Sequence, residues 1–248
     1  METSLHRQLK QHYSSATSQV EVRVGRYRID VLDGDQCVEI QHASLAALRV
    51  KVGVLLKSHS VLIVKPIVLR RTLVQRARRN GRVLYRRLSP KRGSVLDLFD
   101  ELVYFTRLFP HPRLTVEMPL VEIEEWRFPG HGRRRWRHQR DFQVEDQKLM
   151  HIHGVHRLAT IEDLQDLIPA TLPQPFHTGM LSKELGVPRK RAQRIAYCLR
   201  HMGGVETVGK QGNAWLYEMP ARNQALARVL DSRSPRLKMS RSKGEKSS

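Results

Sequence analysis

The sequence predicts an α/β protein with a sheet-based N-terminal domain and a smaller helical C-terminal domain. Residues 27–41 alternate apolar and polar side chains around an Asp-Gly turn, the period-two pattern of strands with one face in a core. Residues 94–109 and 189–200 repeat apolar side chains at helical spacing instead. A chain of 248 residues is long enough for two modest domains, each with its own core.

The remaining N-terminal elements follow from local patterns. The leucines in segment 5–9 predict an amphipathic first helix, and Ser44 is a capping residue before a second one. Residues 61–67 form a short apolar run that ends near a proline, which predicts a fourth core strand after the hairpin. A further core helix is expected over 94–109, and the last strand of the domain over 114–124.

The hairpin brings two carboxylates together. A two-residue turn at Asp33-Gly34 is the shortest loop that joins the strands, and it places Asp30, Glu39 and Gln41 on one sheet face. Asp30 and Glu39 are then diagonal neighbours roughly 7 Å apart at the backbone, close enough to share a hard cation that takes oxygen ligands. The alternative is an ordinary cross-strand ion pair between Arg28 and Glu39.

An Asp followed nine positions later by Glu-x-Gln, with a helix after it, resembles the catalytic core of the PD-(D/E)xK nuclease superfamily. The likeness covers about the first seventy residues and is to a bacterial family of this type that carries Gln in the last position. The segments that carry it are Leu5-His6-Arg7-Gln8-Leu9-Lys10, Glu21, Tyr27-Arg28-Ile29-Asp30, Val38-Glu39-Ile40-Gln41, Arg49-Val50-Lys51 and Val64-Lys65-Pro66-Ile67.

The resemblance implies a restriction-endonuclease-like core, with the order helix, three antiparallel strands, helix, strand, and phosphodiester hydrolysis that depends on Mg²⁺ or Mn²⁺. Gln41 stands where the superfamily usually has Lys, and a neutral amide cannot stabilise developing negative charge as an ammonium does. Lys51 of the following helix would take that role. The metal ligands that the resemblance implies are Asp30, Glu39 and, as an extra acidic ligand, Glu21 or Glu2.

Residues 158–220 resemble a winged helix, with three helices followed by a hairpin whose tip is rich in glycine. Pro188 opens the third helix, and in such domains the N-terminal end of this helix enters the major groove of DNA. A winged helix that docks a protein is the alternative, because a fold does not fix a function. The nucleic-acid-binding candidates here are Arg189, Lys190, Arg191, Arg194 and, in the wing, Lys210.

The charge balance points to nucleic acid. The chain has 44 Lys and Arg against 24 Asp and Glu, a formal charge of +20, which favours polyanionic partners through counterion release. Cations are dense over residues 69–93, which predicts a phosphate track. Past the last predicted strand, an indole lies among arginines and could stack on a base. These candidates are Arg134, Arg135 and Trp136.

These patterns divide the chain into three segments. We expect a nuclease-like domain with basic insertions over 1–157, a winged-helix domain over 158–220 and a basic disordered tail over 221–248. The sequence has no apolar run long enough to span a membrane, no N-terminal signal pattern and only two cysteines, so a cytoplasmic location is expected.

The predicted function is that of a metal-dependent DNA endonuclease or DNA-processing protein, docked to DNA by its winged helix. The alternative is a non-catalytic DNA-binding protein or regulator that keeps the nuclease fold. Charge alone leaves RNA open as the partner. The sequence also leaves open whether the chain forms a homodimer and which proteins it meets.

Overall fold

The computed structural model describes residues 2–130 and 141–220. The main sheet contains β1 to β8, and β9 and β10 form a separate hairpin. The strands are β1 (Gln19–Val24), β2 (Tyr27–Asp33), β3 (Gln36–Ile40), β4 (Ser60–Val64), β5 (Ile67–Arg76), β6 (Val83–Leu88), β7 (Leu114–Pro129), β8 (Phe142–Leu158), β9 (Glu206–Gln211) and β10 (Ala214–Glu218). The helices are α1 (Ser4–His12), α2 (Arg49–Leu55), α3 (Phe99–Leu102), α4 (Ile161–Gln165), α5 (Thr178–Glu184) and α6 (Arg189–Met202).

The main sheet is mixed, and its strands follow the order β1-β2-β3-β4-β7-β5-β6, with β8 paired to β7. The first three strands are antiparallel neighbours. Strand β3 then runs parallel to β4, and β7 runs parallel to both β4 and β5. The predicted α/β class with a mixed sheet flanked by helices is therefore confirmed.

The predicted first helix, hairpin, second helix and fourth strand are all present. Ser44 begins the second helical segment, because its hydroxyl accepts a hydrogen bond from the Ala46 N–H and a short 3-10 turn over Leu45–Leu48 leads into α2. The expected helix over 94–109 is shorter than predicted. It consists of a 3-10 turn, Val95–Leu98, and α3.

The long β7–β8 pair corrects the prediction that the sheet ends near residue 124. Strand β7 continues to Pro129, and β8 returns along it to Leu158. The basic segment 69–93, expected as a phosphate track, forms the paired strands β5 and β6. The candidates Arg134, Arg135 and Trp136 and the predicted tail 221–248 lie outside the described residues.

The sheet buries an apolar cluster on each face. On one face, Leu5 and Leu9 of α1 pack with the side chains of Val31, Val38 and Ile40. On the other face, a larger cluster joins the sheet to α2 and α3 and continues into α4, α5 and α6. Within the described ranges, no helix has the length and apolarity needed to cross a membrane.

The hairpin register differs from the predicted one. Asp33 pairs with Gln36 and Val31 with Val38, so the two turn residues are Gly34 and Asp35 rather than Asp33 and Gly34. Gly34 has a φ of +59°, a left-handed conformation that glycine adopts without a Cβ penalty. The shift brings Asp30 closer to the level of Glu39 than the predicted register does.

Candidate functional site

Asp30 lies where strand β2 changes the face that it buries. Ile29 packs in the cluster beneath α2 and α3, whereas Val31 packs in the cluster beneath α1. The Asp30 carboxylate accepts a hydrogen bond from the Ile40 N–H at 2.8 Å and lies 3.2 Å from His6 Nε2. Burial raises the pKa of Asp30, but these two hydrogen bonds outweigh it and hold the pKa below its usual value. Asp30 is therefore ionised at neutral pH.

Glu39 is the more deeply buried carboxylate, with 4% of the residue exposed. It forms an ion pair with Lys51 of α2, whose ammonium also donates to the Arg28 backbone carbonyl. Burial raises the pKa of Glu39 above its usual value despite Lys51, and the charge of Asp30 adds to the rise. The alternative considered from the sequence, an Arg28–Glu39 ion pair, is not formed, because Arg28 pairs with Glu21 and Lys51 pairs with Glu39.

The two carboxylates are adjacent but contact helices on opposite faces of the sheet. Asp30 is held by His6 of α1, and Glu39 is held by Lys51 of α2. They remain coupled, because the charge of Asp30 acts on Glu39 and raises its pKa. The shared sheet face that the hairpin predicts for these carboxylates stays a prediction, and the register of Val31 with Val38 brings Asp30 to the level of Glu39.

A row of charged side chains on α1 surrounds Asp30. His6 lies 3.8 Å from Glu2, and Lys10 forms ion pairs with Glu2 and, at 2.6 Å, with Glu21. Lys10 and Arg28 thus neutralise Glu21. His6 lies between Glu2 and Asp30 and is close to both carboxylates. Sequence reasoning missed His6 and Lys10. Their spacing from Glu2, one and two helical turns along α1, is the signal that would have revealed them.

Gln41 forms a hydrogen bond within the loop that leads to α2. Its side-chain amide donates to the Ser44 carbonyl at 2.9 Å. The Ser44 hydroxyl and the Leu45 N–H in turn donate to Glu101, at 2.7 and 2.9 Å. The cation beside Glu39 is Lys51 of α2.

The cations of α6 divide into two groups. Arg191 forms ion pairs with Asp97 at 2.6 Å and Asp100 at 3.0 Å, and Arg194 pairs with Asp100 at 2.7 Å. Arg189 and Lys190 are exposed and have no ion pair within the described residues. The structure therefore uses half of the predicted DNA-binding cations of α6 to hold this helix against α3 and its preceding turn.

The opposite side of α6 faces the hairpin. Arg189, Gln193, Tyr197 and Arg200 line a groove of about 350 Å³ with Trp215 of β10. Lys210, a predicted candidate, lies over the ring of Trp215 at 4.2 Å. Sequence reasoning missed this surface, although the first three of its α6 residues are spaced at i, i+4 and i+8 on one helical face.

The donor chemistry of the carboxylate pair suits a hard cation. Within residues 2–130 and 141–220, no group of three or more His, Cys, Asp or Glu side chains is arranged to hold a metal ion. Asp30 and Glu39 supply carboxylate oxygens, and Mg²⁺ at phosphoryl-transfer sites is typically held by one or two carboxylates together with water and substrate phosphates. The oxygen donors of the pair therefore suit Mg²⁺, provided that further ligands come from outside these two side chains.

Residues 3–159 match a family described as a domain of unknown function, DUF8091. The chain belongs to this family. The matched region holds the whole main sheet with α1, α2 and α3, and it ends before α4. The chain is also 29% identical over 229 residues to an uncharacterized protein of Treponema pallidum (strain Nichols), an alignment that covers 90% of this chain and 88% of that protein. No solved structure matches the chain.

Proposed function

We propose that this member of the DUF8091 family is a metal-dependent DNA endonuclease or DNA-processing protein. The observation that carries the proposal is the position of Asp30 at the level of Glu39 in the hairpin, where their charges interact, with Lys51 paired to Glu39. Two coupled carboxylates with pKa values moved in opposite directions are typical of a functional site. The formal charge of +20 supports a polyanionic substrate.

Each side chain has a role in this proposal. Asp30 and Glu39 would hold Mg²⁺ or Mn²⁺, and the bound cation would supply activation of a water molecule and positive charge for the leaving oxygen. His6 orients the Asp30 carboxylate, to which it is already within hydrogen-bond distance. Lys51 supplies the positive charge that Gln41 cannot, and its bond to the Arg28 carbonyl fixes its position.

We also propose that the main sheet is a PD-(D/E)xK core and that residues 158–220 are a winged helix. The winged-helix proposal is supported by the order of three helices followed by the β9–β10 hairpin. DNA would contact the exposed cations Arg189 and Lys190 at the start of α6 and Lys210 of the hairpin. Arg191 and Arg194 would contribute less, because Asp97 and Asp100 neutralise them.

A plasmid-nicking assay with Mg²⁺, Mn²⁺ or EDTA tests the proposal. We expect cleavage by the unaltered protein with either cation and none in EDTA. Asp30→Asn and Glu39→Gln should each abolish cleavage while DNA binding persists, because the ligands are lost without adding negative charge. Asp35→Asn removes an exposed carboxylate from the same hairpin and should cleave normally. Metal-dependent cleavage by both folded ligand variants would contradict the proposed site.

The second candidate is a DNA-binding protein or regulator that retains the fold without turnover. It is favoured by the engagement of both carboxylates with side chains of the protein, His6 and Lys51, and by the bond from Gln41 to the Ser44 carbonyl. The same assay separates the two functions. DNA binding without nicking of duplex, branched or single-stranded substrates in either cation would establish the second.

A further inference from the structure

A polar cleft of about 400 Å³ lies beside the candidate metal site. The loop after β4, the segment 91–93 and the start of α6 form its walls. It adjoins the carboxylate pair through His42, which lines the cleft and follows Glu39 by three positions in the chain. Its lining cations are Lys65, Arg71, Lys91, Arg92 and Arg191.

Lys65 is a buried cation without an acidic partner. The residue is 9% exposed, and its ammonium donates to the backbone carbonyls of His42, at 3.0 Å, and Ala43. Within the described part of the chain, no carboxylate lies within ion-pair distance of it. Burial lowers the pKa of Lys65, and the charge of Glu101, which also lines the cleft, offsets this only in part. A buried ammonium in this state gains stability from an anion more than an exposed one does.

The acidic side chains that line the cleft already have partners within the protein. Asp97 and Asp100 pair with Arg191, and Glu101 accepts hydrogen bonds from Ser44 and Leu45. Arg71 is paired at 3.1 Å with Glu125, which lies outside the lining of the cleft. By contrast, Lys91 and Arg92 are exposed and have no ion pair among residues 2–130 and 141–220. The cleft thus keeps an excess of positive charge after its internal pairs are counted.

His42 adds a second unsatisfied group. Its Nε2 is buried and has no hydrogen-bond partner among the described residues. A buried polar nitrogen costs free energy unless a ligand or a neighbour satisfies it. Together with the buried ammonium of Lys65, this buried nitrogen distinguishes the cleft from a patch of exposed surface charge.

We propose that this cleft binds a phosphate group of the nucleic-acid strand that the protein acts on. The identity of the strand rests on the proposed function, whereas the anion chemistry rests on the cleft itself. Lys91 and Arg92 would bind the phosphate oxygens as charged donors, and Lys65 would add its buried charge. A phosphate held here would position the strand next to Asp30 and Glu39.

Two probes test the cleft in EDTA, where no metal-dependent cleavage occurs. The first is inorganic phosphate, titrated by calorimetry at constant ionic strength, and the second is fluorescent (dT)₁₂, followed by anisotropy. The double variant Lys91→Gln/Arg92→Gln should weaken the affinity for both probes by about tenfold or more, since it removes two charged donors. The matched control Lys57→Gln/Arg107→Gln removes two exposed cations outside the cleft and should stay within about twofold of the unaltered protein.

Each outcome decides the proposal. A loss confined to the cleft variant with both probes supports it. Absence of saturable phosphate binding, or equal losses in both double variants, overturns it. Binding of inorganic phosphate with unchanged (dT)₁₂ affinity also overturns it, because the cleft would then serve a free anion. These binding measurements do not depend on DNA cleavage. The proposed phosphate site and the proposed nuclease activity can therefore be refuted separately.

Discussion

At the scale of single residues, His42 shows how burial among cations changes a side chain. Burial lowers the pKa of His42 to about 4, and the charges of Lys65 and Arg71 act in the same direction. The folded protein therefore holds this imidazole neutral at pH values where an exposed one takes up a proton. The folded state is therefore more stable with His42 neutral than with His42 protonated.

This difference predicts a pH-dependent stability. An unfolded imidazole is protonated below about pH 6.5, so the free energy of unfolding should fall as the pH drops from there towards 4. The contribution of His42 between pH 7 and pH 5 is about 2 kcal/mol. Urea unfolding should show that His42→Gln loses less stability over this interval than the unaltered protein. His12→Gln, at an exposed position, should behave like the unaltered protein; an equal pH dependence in all three would refute the assignment.

At the scale of elements, the position of α6 depends on acids from the N-terminal domain. Asp100 accepts from both Arg191 and Arg194, and the two guanidiniums hold the pKa of Asp100 below its usual value despite partial burial. Behind this contact, the Cys198 thiol donates to the Phe99 carbonyl at 3.7 Å. Helix α6 is therefore anchored to α3 by charge and by packing.

Asp100→Asn should loosen this anchor and free two cations. We expect the free energy of unfolding to fall by roughly 1 to 2 kcal/mol, a modest value because the pairs are partly exposed. DNA affinity at low salt should rise, because Arg191 and Arg194 would no longer be neutralised. Urea titration and anisotropy measure the two effects. Asp35→Asn removes the same charge away from α6, and an identical response from it would show that the ion pairs do not matter.

At the scale of the whole molecule, one apolar cluster joins the sheet to the C-terminal helices. Phe99 and Phe105 of the N-terminal domain belong to the same cluster as Ile195 and Leu199 of α6. Two domains that share a core should unfold together rather than in separate steps. The boundary predicted near residue 158 therefore separates segments of sequence without separating their packing.

Two tryptophans can report on this cooperativity. Trp126 lies in β7 and Trp215 in β10, so variants that keep only one of the three tryptophans follow each part separately. We expect the urea midpoints from the two reporters to coincide, because loss of the shared cluster removes the core of both parts. Far-ultraviolet circular dichroism gives the reference midpoint. Two distinct midpoints would mean that the C-terminal helices unfold independently.

Local periodicity was enough to predict much of this protein. The alternating residues of 27–41, the leucines of α1 and the cap at Ser44 specify their elements through neighbours a few positions away. The proximity of Asp30 and Glu39 was also predictable, because a tight hairpin brings its strands together whatever the rest of the chain does. The helical repeat in 94–109 overestimated its element, since apolar spacing does not show where packing ends a helix.

Tertiary structure decided what local patterns do not encode. The contacts of Asp30 with His6 and of Glu39 with Lys51 depend on which helix packs on each side of the sheet, so local patterns did not predict them. The neutralisation of Arg191 by Asp100 joins residues 91 positions apart, and no local pattern specifies that contact. Sequence by itself determined the class of elements and the charge of this protein. Only long-range packing determined which of its charges are paired and which remain available to a ligand.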